Sequence, residues 1–196
     1  SSNENTYGPS PRILKSLNFE NLDQRLNRYP EINGITLRNA IAKINNLDPE
    51  RIVLGCGSDE ILLFAALAFC RSGDEIIQAQ NGFEMYSIIA KIVGATTKFA
   101  QEINYAISID SIIKQINEST KLIYIANPNN PTGTYLNHSE IRNLMKLIPK
   151  NIVVVLDGAY AEYVLQKDYD KGFALTDEFK NIILTRTFSK SYGLAG

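Results

Sequence analysis

The sequence is poor in the residues from which metal centres and cofactor-free nucleophilic sites are built. It holds one histidine, His138, two cysteines, Cys56 and Cys70, and no tryptophan. The cysteines form no C-x-x-C pair and only one histidine is present, which argues against a Cys/His zinc site and against a Ser-His-Asp triad. His138 sits in "NHSE", which reads as a helix start with Asn137 as cap and Glu140 three residues on. An exposed, incidental histidine is expected there. Two cysteines make no disulfide framework, and both are expected to be small buried thiols of a reducing compartment. An excess of charge is also missing. Lysine and arginine number 20 against 21 acidic residues, and the formal charge is −1. No run of like charge forms a tail, which argues against a nucleic-acid or anionic-membrane partner. The longest apolar stretch, Ile61 to Cys70, is too short to span a bilayer and reads as a buried helix. The opening "SSNENTYGPS" has neither the charged start nor the apolar stretch of a secretion signal. A cytoplasmic protein is expected.

What the sequence does have is alternation. Of its 196 residues, 44% are hydrophobic, enough for one substantial core. "RIVLGCG" reads as a strand running into a glycine turn, and "SDEILLFAALAFCRSGD" as a helix with Ser58 at its cap and Gly73 past its end. Strand-like "EIIQAQ", "ATTKFA", "KLIYIANP", "NIVVVLD" and "NIILTRT" alternate with helix-like "EMYSIIAKIVG", "IDSIIKQIN" and "HSEIRNLMKLI". Strands rich in Ile and Val between helices predict an α/β three-layer sandwich around a mostly parallel sheet. Residues 1–50 differ. They read as an irregular arm with Pro9, Pro11 and Pro30, then a helix over about Thr36 to Asn46. The arm is expected to pack on the sheet or on a second subunit.

In an open α/β sheet, ligands bind beyond the carboxyl ends of the strands. "GCGSDE", "NPNNPTG", "DGAY" and "FSK" follow four of the expected strands. Together they suit one cofactor, pyridoxal 5′-phosphate. The amine of Lys190 can form an imine with the cofactor aldehyde. A buried carboxylate keeps the pyridine nitrogen protonated, and Asp157 is the candidate. Asn130 and Tyr160 can donate to the phenolic oxygen. Gly57, Ser58 and Asp59 open a helix whose backbone amides can hold the phosphate, and Ser189 can add a hydroxyl. Phe83 can stack on the ring. Each piece alone has a plainer reading: a turn, a cap, a core phenylalanine, a surface lysine. Their order along successive strand ends is what points to a cofactor site.

With these motifs in view, the chain resembles the fold-type I pyridoxal-phosphate aminotransferases of class I/II, and among them the histidinol-phosphate aminotransferases. "NENTYGPS", "NRYPE", "GCGSDE", "GFEMYS", "NPNNPTG", "DGAY" and "TFSKSYGLAG" carry the resemblance. The resemblance implies that Lys190 is also the base moving the substrate's α-carbon proton to cofactor C4′. It implies that Tyr29 reaches the cofactor phosphate of a neighbouring subunit in a homodimer, and that Tyr7 lies near the phosphate end of the substrate. Implied substrates are a phosphorylated amino-alcohol or amino acid and a 2-oxo acid. Threonine-phosphate decarboxylase and aromatic aminotransferase chemistry are the neighbouring alternatives on this fold, and a non-catalytic remnant or half of a split enzyme is the alternative of another class.

Two departures bear on the site. "DGAY" carries Gly158 where the family has an acidic residue, and Thr6 replaces a proline in "NENTYGPS". Family members are about twice as long, on the scale of two domains. Residues 1–50 are therefore expected as an N-terminal arm and helix, and 51–196 as an incomplete cofactor-binding large domain without its C-terminal small domain. The cofactor-phosphate arginine and the substrate-carboxylate arginine of the family would lie beyond Gly196. A chain of this extent is expected to turn over little by itself.

Overall fold

A computed structural model describes residues 3–16 and 27–195. The chain divides into two compact units, Gly57–Thr187 and Ser1–Cys56 with Phe188–Gly196.

The larger unit is built on five parallel strands: β1 (Glu75–Ala79), β2 (Thr96–Ala100), β5 (Thr120–Ala126), β6 (Val153–Asp157) and β7 (Ile182–Thr185), in the order β2-β1-β5-β6-β7. Successive side chains of each strand feed opposite faces. Ile76, Leu122, Tyr124 and Val155 pack with Leu62, Ala65 and Ala66 of α3 (Ser58–Phe69) and with Tyr86 and Ile89 of α4 (Met85–Ile92). Ile77, Ile123, Ile125, Val154 and Leu156 pack with Ile112 of α5 (Ile109–Gln115), Ile141 and Leu144 of α6 (His138–Leu147), and Leu175 of α7 (Leu175–Glu178). This is the three-layer α/β sandwich with a parallel central sheet that the Val/Ile-rich runs predict. The chain leaves β1 toward β2 on one side, and β5, β6 and β7 extend on the other. The topological switch therefore falls between β1 and β5.

Local chemistry sets the helix ends. Asn137 and Glu140 form the expected capping box on α6. His138, however, is half-buried rather than exposed. Its Nδ1 lies 3.0 Å from Asp170 Oδ2 and its backbone N–H donates to Asp168 O, so the helix start is tied to a neighbouring loop. Helix α3 is capped by Gly57, not Ser58. Gly57 at φ 80° takes the turn, and Ser58 becomes the first helical residue, with no side-chain cap bond. The same helix stops at Phe69, before Gly73. Cys70 is buried, and burial raises its thiol pKa to about 11, whereas Cys56 is exposed.

The structure differs from the pattern in the sequence at several points. A short hairpin, β3 (Glu102–Ile103) and β4 (Ala106–Ile107), follows β2. Its turn residues, Asn104 and Tyr105, have φ of 52° and 63°, and tyrosine gives no turn signal in sequence.

The smaller unit contains α1 (Pro11–Ser16), within the stretch expected to be irregular, and α2 (Ile35–Asn45), one residue from the expected bounds. The strand expected over 51–57 is not formed. Asp48 caps a 3-10 turn over Pro49–Arg51, and the residues after it join no ladder among the described residues. An apolar, extended run becomes a strand only where a partner supplies its hydrogen bonds. Val53 is accordingly 69% exposed. No helix of the described residues is long and apolar enough to cross a membrane.

Candidate active site

The carboxyl ends of β1, β5 and β6, with the start of α3, bring most of the sequence-derived candidates into the larger unit. Asp157 ends β6 and is 5% exposed. Its Oδ2 accepts from Tyr86 Oη at 2.8 Å, and its Oδ1 accepts from Thr185 Oγ1 at 2.8 Å and from the Ala159 backbone N–H at 3.1 Å. Thr185 stands directly opposite it in the β6–β7 register. Burial raises the Asp157 pKa above the usual carboxylate range, the three donors pull it back, and the Asp59 charge raises it further. That last effect places the start of α3 within electrostatic reach of Asp157. The donors are a phenol, a hydroxyl and an amide, all neutral. A buried carboxylate with such partners is suited to a cation brought by a ligand.

Sequence reading gave Tyr86 and Thr185 no role. Tyr86 is 1% exposed and stacks on Tyr124, with centroids 4.6 Å apart and rings 10° from parallel. Tyr124 Oη donates to Leu62 O at 2.7 Å. Burial, and then the charge of Asp157, push the Tyr86 phenol well above its ordinary pKa, so it remains a donor. The signal was in "FEMY": α4 starts at Met85, and the next residue turns inward under the sheet ends. Phe83 stands perpendicular to Tyr86, centroids 5.6 Å apart, and is half-buried.

The "NPNNPTG" loop after β5 is a built structure. Asn127, 1% exposed, donates from Nδ2 to Leu136 O at 3.0 Å and accepts the Leu136 N–H on Oδ1 at 2.7 Å, closing the loop like a rung of sheet. Its own N–H donates to Asp157 O at 2.9 Å, and Tyr169 Oη donates to its carbonyl at 2.7 Å. Asn129 pairs by backbone with Thr134 and Gly133. Asn130 is thus held on a short tether three residues beyond the contact with Asp157. Tyr160, three residues past Asp157, begins a 3-10 turn over Ala161–Tyr163. Gly158 sits between them, and a Cβ there would meet Thr185 O and Arg186 Cδ at 3.1 Å. Arg186 itself pairs with Glu162 and lies over the Phe173 ring, 5.5 Å from its centroid.

Gly57, Ser58 and Asp59 form the uncapped start of α3, which packs against β5, β6 and β7. Nothing lies within 4 Å of a Cβ built on Gly57. Backbone amides at such an end suit a phosphate. A neutral-donor carboxylate, an uncapped helix start and an aromatic ring at strand ends together fit a phosphorylated pyridinium cofactor.

Lys190, Ser189, Tyr7 and Tyr29 belong to the smaller unit, which holds the lysine in its own way. Asn5 Nδ2 donates to Lys190 O at 3.2 Å, and the Gly193 N–H donates back to the same carbonyl at 3.1 Å. Lys190 Nζ donates to Asn3 O at 3.1 Å. Gly193, at φ 68°, approaches Gly8 so closely that a Cβ would lie 2.7 Å from its carbonyl carbon. The "NENTYGPS" and "SKSYGLAG" motifs therefore pack on each other. Tyr7 and Tyr29 are 98% and 99% exposed.

Known proteins match along the whole chain. It is 43% identical over 196 residues to a histidinol-phosphate aminotransferase of Ruegeria pomeroyi, covering 100% of this chain and 53% of the relative. It is 46% identical over 195 residues to one of Pelagibacter ubique, covering 100% and 54%. Its fold matches a histidinol-phosphate aminotransferase of Sinorhizobium meliloti, solved in complex with pyridoxal 5′-phosphate, with a TM-score of 0.91 at 23% identity, covering 100% of this chain and 53% of that one. The chain spans about half the length of the curated relatives it matches. The family described as aminotransferase class I and II accounts for residues 1–196, and to that family this chain belongs.

Proposed function

We propose that the protein is a pyridoxal-phosphate-dependent aminotransferase that passes the amino group of histidinol phosphate to 2-oxoglutarate, giving imidazole acetol phosphate and glutamate, a step of histidine biosynthesis. The observation that carries the reading is Asp157, a buried carboxylate at a strand end held by three neutral donors. When bound, pyridoxal 5′-phosphate supplies an aldehyde that takes up the amino group and a ring that draws electrons from the substrate α-carbon. The chain's residues do the rest. Asp157 keeps the ring nitrogen protonated. Asn130 and Tyr160 donate to the phenolic oxygen, and Phe83 covers a ring face. Gly57, Ser58, Asp59 and Ser189 hold the phosphate. Lys190 would hold the cofactor aldehyde until substrate amine displaces it, and its freed amine would then carry the proton between the substrate α-carbon and cofactor C4′.

The same reading includes a homodimer in which Tyr29 reaches the neighbouring subunit's phosphate region and Tyr7 the substrate's phosphate end. The near-complete exposure of both side chains in one chain supports it. The identity of 43–46% to curated histidinol-phosphate aminotransferases supports the choice of substrate. The test uses the product of the complete reading frame that contains these 196 residues. Glutamate should form from histidinol phosphate and 2-oxoglutarate in the presence of cofactor, and Lys190→Ala should abolish it. Carbon dioxide release from threonine phosphate, without turnover of histidinol phosphate, would overturn the substrate assignment.

A further inference from the structure

The topological switch between β1 and β5 is bridged by a polar knot that the reaction itself does not use. Asn81 follows β1 and lies two residues before Phe83. Asn129 follows β5 and lies directly before Asn130. Glu102, in β3, reaches both loops. Its Oε2 accepts from Asn81 Nδ2 at 2.7 Å, and its Oε1 accepts from the Asn81 backbone N–H at 3.3 Å, so one carboxylate grips both donors of one residue. The same Oε1 lies 3.5 Å from Asn129 Nδ2. Asn129 Nδ2 also donates to Asn81 O at 3.3 Å and to Thr132 Oγ1 at 2.9 Å. Thr132 Oγ1 shares a hydrogen bond with Thr134 Oγ1 at 2.9 Å, and Thr134 Oγ1 donates to Tyr105 O, in the β3–β4 turn, at 2.8 Å. The three acceptors around Asn129 Nδ2 fix the orientation of that amide.

We propose that Glu102 is a positioning residue that locks the Phe83 loop and the Asn130 loop to each other across the switch crevice. The hairpin β3–β4 exists, on this view, to present Glu102 to the two loops. Charge-assisted bonds are stronger than neutral ones, and a carboxylate that chelates Asn81 holds the Asn81 carbonyl where Asn129 can use it. Two loops held at a fixed spacing give the stacking ring of Phe83 and the donor of Asn130 one geometry, as orientation-dependent catalysis requires. The proposal rests on the cofactor reading for its consequence, while the mechanical link is a property of the chain itself.

The test separates the two. Glu102→Ala and Glu102→Gln are compared with wild type and with Glu178→Gln, which breaks a surface ion pair with Arg142 far along the chain. Amide hydrogen exchange is followed without ligand, and the pH midpoint of the bound cofactor's absorbance change is followed with pyridoxal 5′-phosphate. In Glu102→Ala, exchange should rise roughly tenfold or more in both 81–84 and 129–134, the scale for loss of a charged hydrogen bond. The amides of β1 and β5 should stay protected, and Glu102→Gln should fall between. The absorbance midpoint should move in Glu102→Ala and stay in place in Glu178→Gln, because the Asn130 donor acts on the ring's phenolic oxygen. Faster exchange in only one loop, in neither, or evenly through β1 and β5 would overturn the proposal, as would an unmoved midpoint. Failure of wild type to bind the cofactor would count against the cofactor reading alone, and the exchange result would still decide the link.

Discussion

Asp157 is held in a state that costs stability, a cost to which the proposed cofactor reading gives a use in binding. Burial raises its folded pKa above the unfolded value, so the folded apo chain takes up a proton more readily than the unfolded chain. The stabilising effect of that proton is fully present below the ordinary carboxylate range and is lost as pH rises through the raised folded pKa. Apo stability should therefore fall across that window in wild type and stay flatter in Asp157→Asn, as measured by urea unfolding at a series of pH values. A wild-type profile that rises there would refute the assignment. At neutral pH the asparagine variant should be at least as stable as wild type, yet it should lose activity roughly ten- to thousandfold, since a carboxylate neighbour moves a partner's pKa by about 1–3 units. Gly158→Glu should behave in the opposite sense. Its Cβ would press on Thr185 O and Arg186 Cδ, costing about 1 kcal/mol or more as overpacking does, with cofactor affinity changed only a few-fold. The place of Asp157 at the buried end of an apolar strand was legible in sequence, while its proposed role was suggested only by its order with the other strand-end motifs. Tyr86 was not given a role because an aromatic residue in an amphipathic helix looks like any core residue until its hydroxyl is seen on Asp157.

At the scale of elements, five parallel strands and the main helices were legible because Ile/Val runs and capping residues report directly on burial and backbone satisfaction. Failures came where an element depends on something other than its own sequence. The apolar run over 52–55 has strand composition but joins no ladder among the described residues. The β3–β4 hairpin is two short pairs closed by Asn104 and Tyr105, too brief to show a period. Cap placement failed at Ser58 for a chemical reason. Gly57 takes the turn at positive φ and leaves the first amides of α3 without the side-chain cap that a serine there could supply. At α6, where the box is complete, Asn137→Ala should cost about 1 kcal/mol of unfolding free energy without altering cofactor binding. Chemical denaturation and cofactor titration on one preparation check both halves of that statement. If the frame of the sheet depends on α6 for the cofactor loops, affinity will fall together with stability.

For the molecule as a whole, a ligand that binds only the folded state must stabilise it by mass action. Pyridoxal 5′-phosphate at a hundredfold excess over its dissociation constant should contribute about 2.7 kcal/mol. For a chain of this length that raises the midpoint of thermal unfolding by roughly 5–10 °C. The phosphate and ring terms separate by choice of ligand and variant. Pyridoxal lacks the phosphate that the start of α3 and Ser189 are proposed to hold, and it should give a far smaller rise. Asp157→Asn should lower the rise by weakening the hold on the ring nitrogen. Lys190→Ala should keep the phosphate contribution while losing the covalent hold, and borohydride should then fix no cofactor at position 190. This ordering tests the proposed division of labour without any assay of turnover. It also bears on the design of the fold: a chain that keeps a buried carboxylate and an uncapped helix start forgoes apo stability, which the proposed ligand should restore. Equal thermal shifts with pyridoxal and pyridoxal 5′-phosphate, or borohydride labelling confined to another lysine in wild type, would show that the cofactor lies elsewhere on this chain.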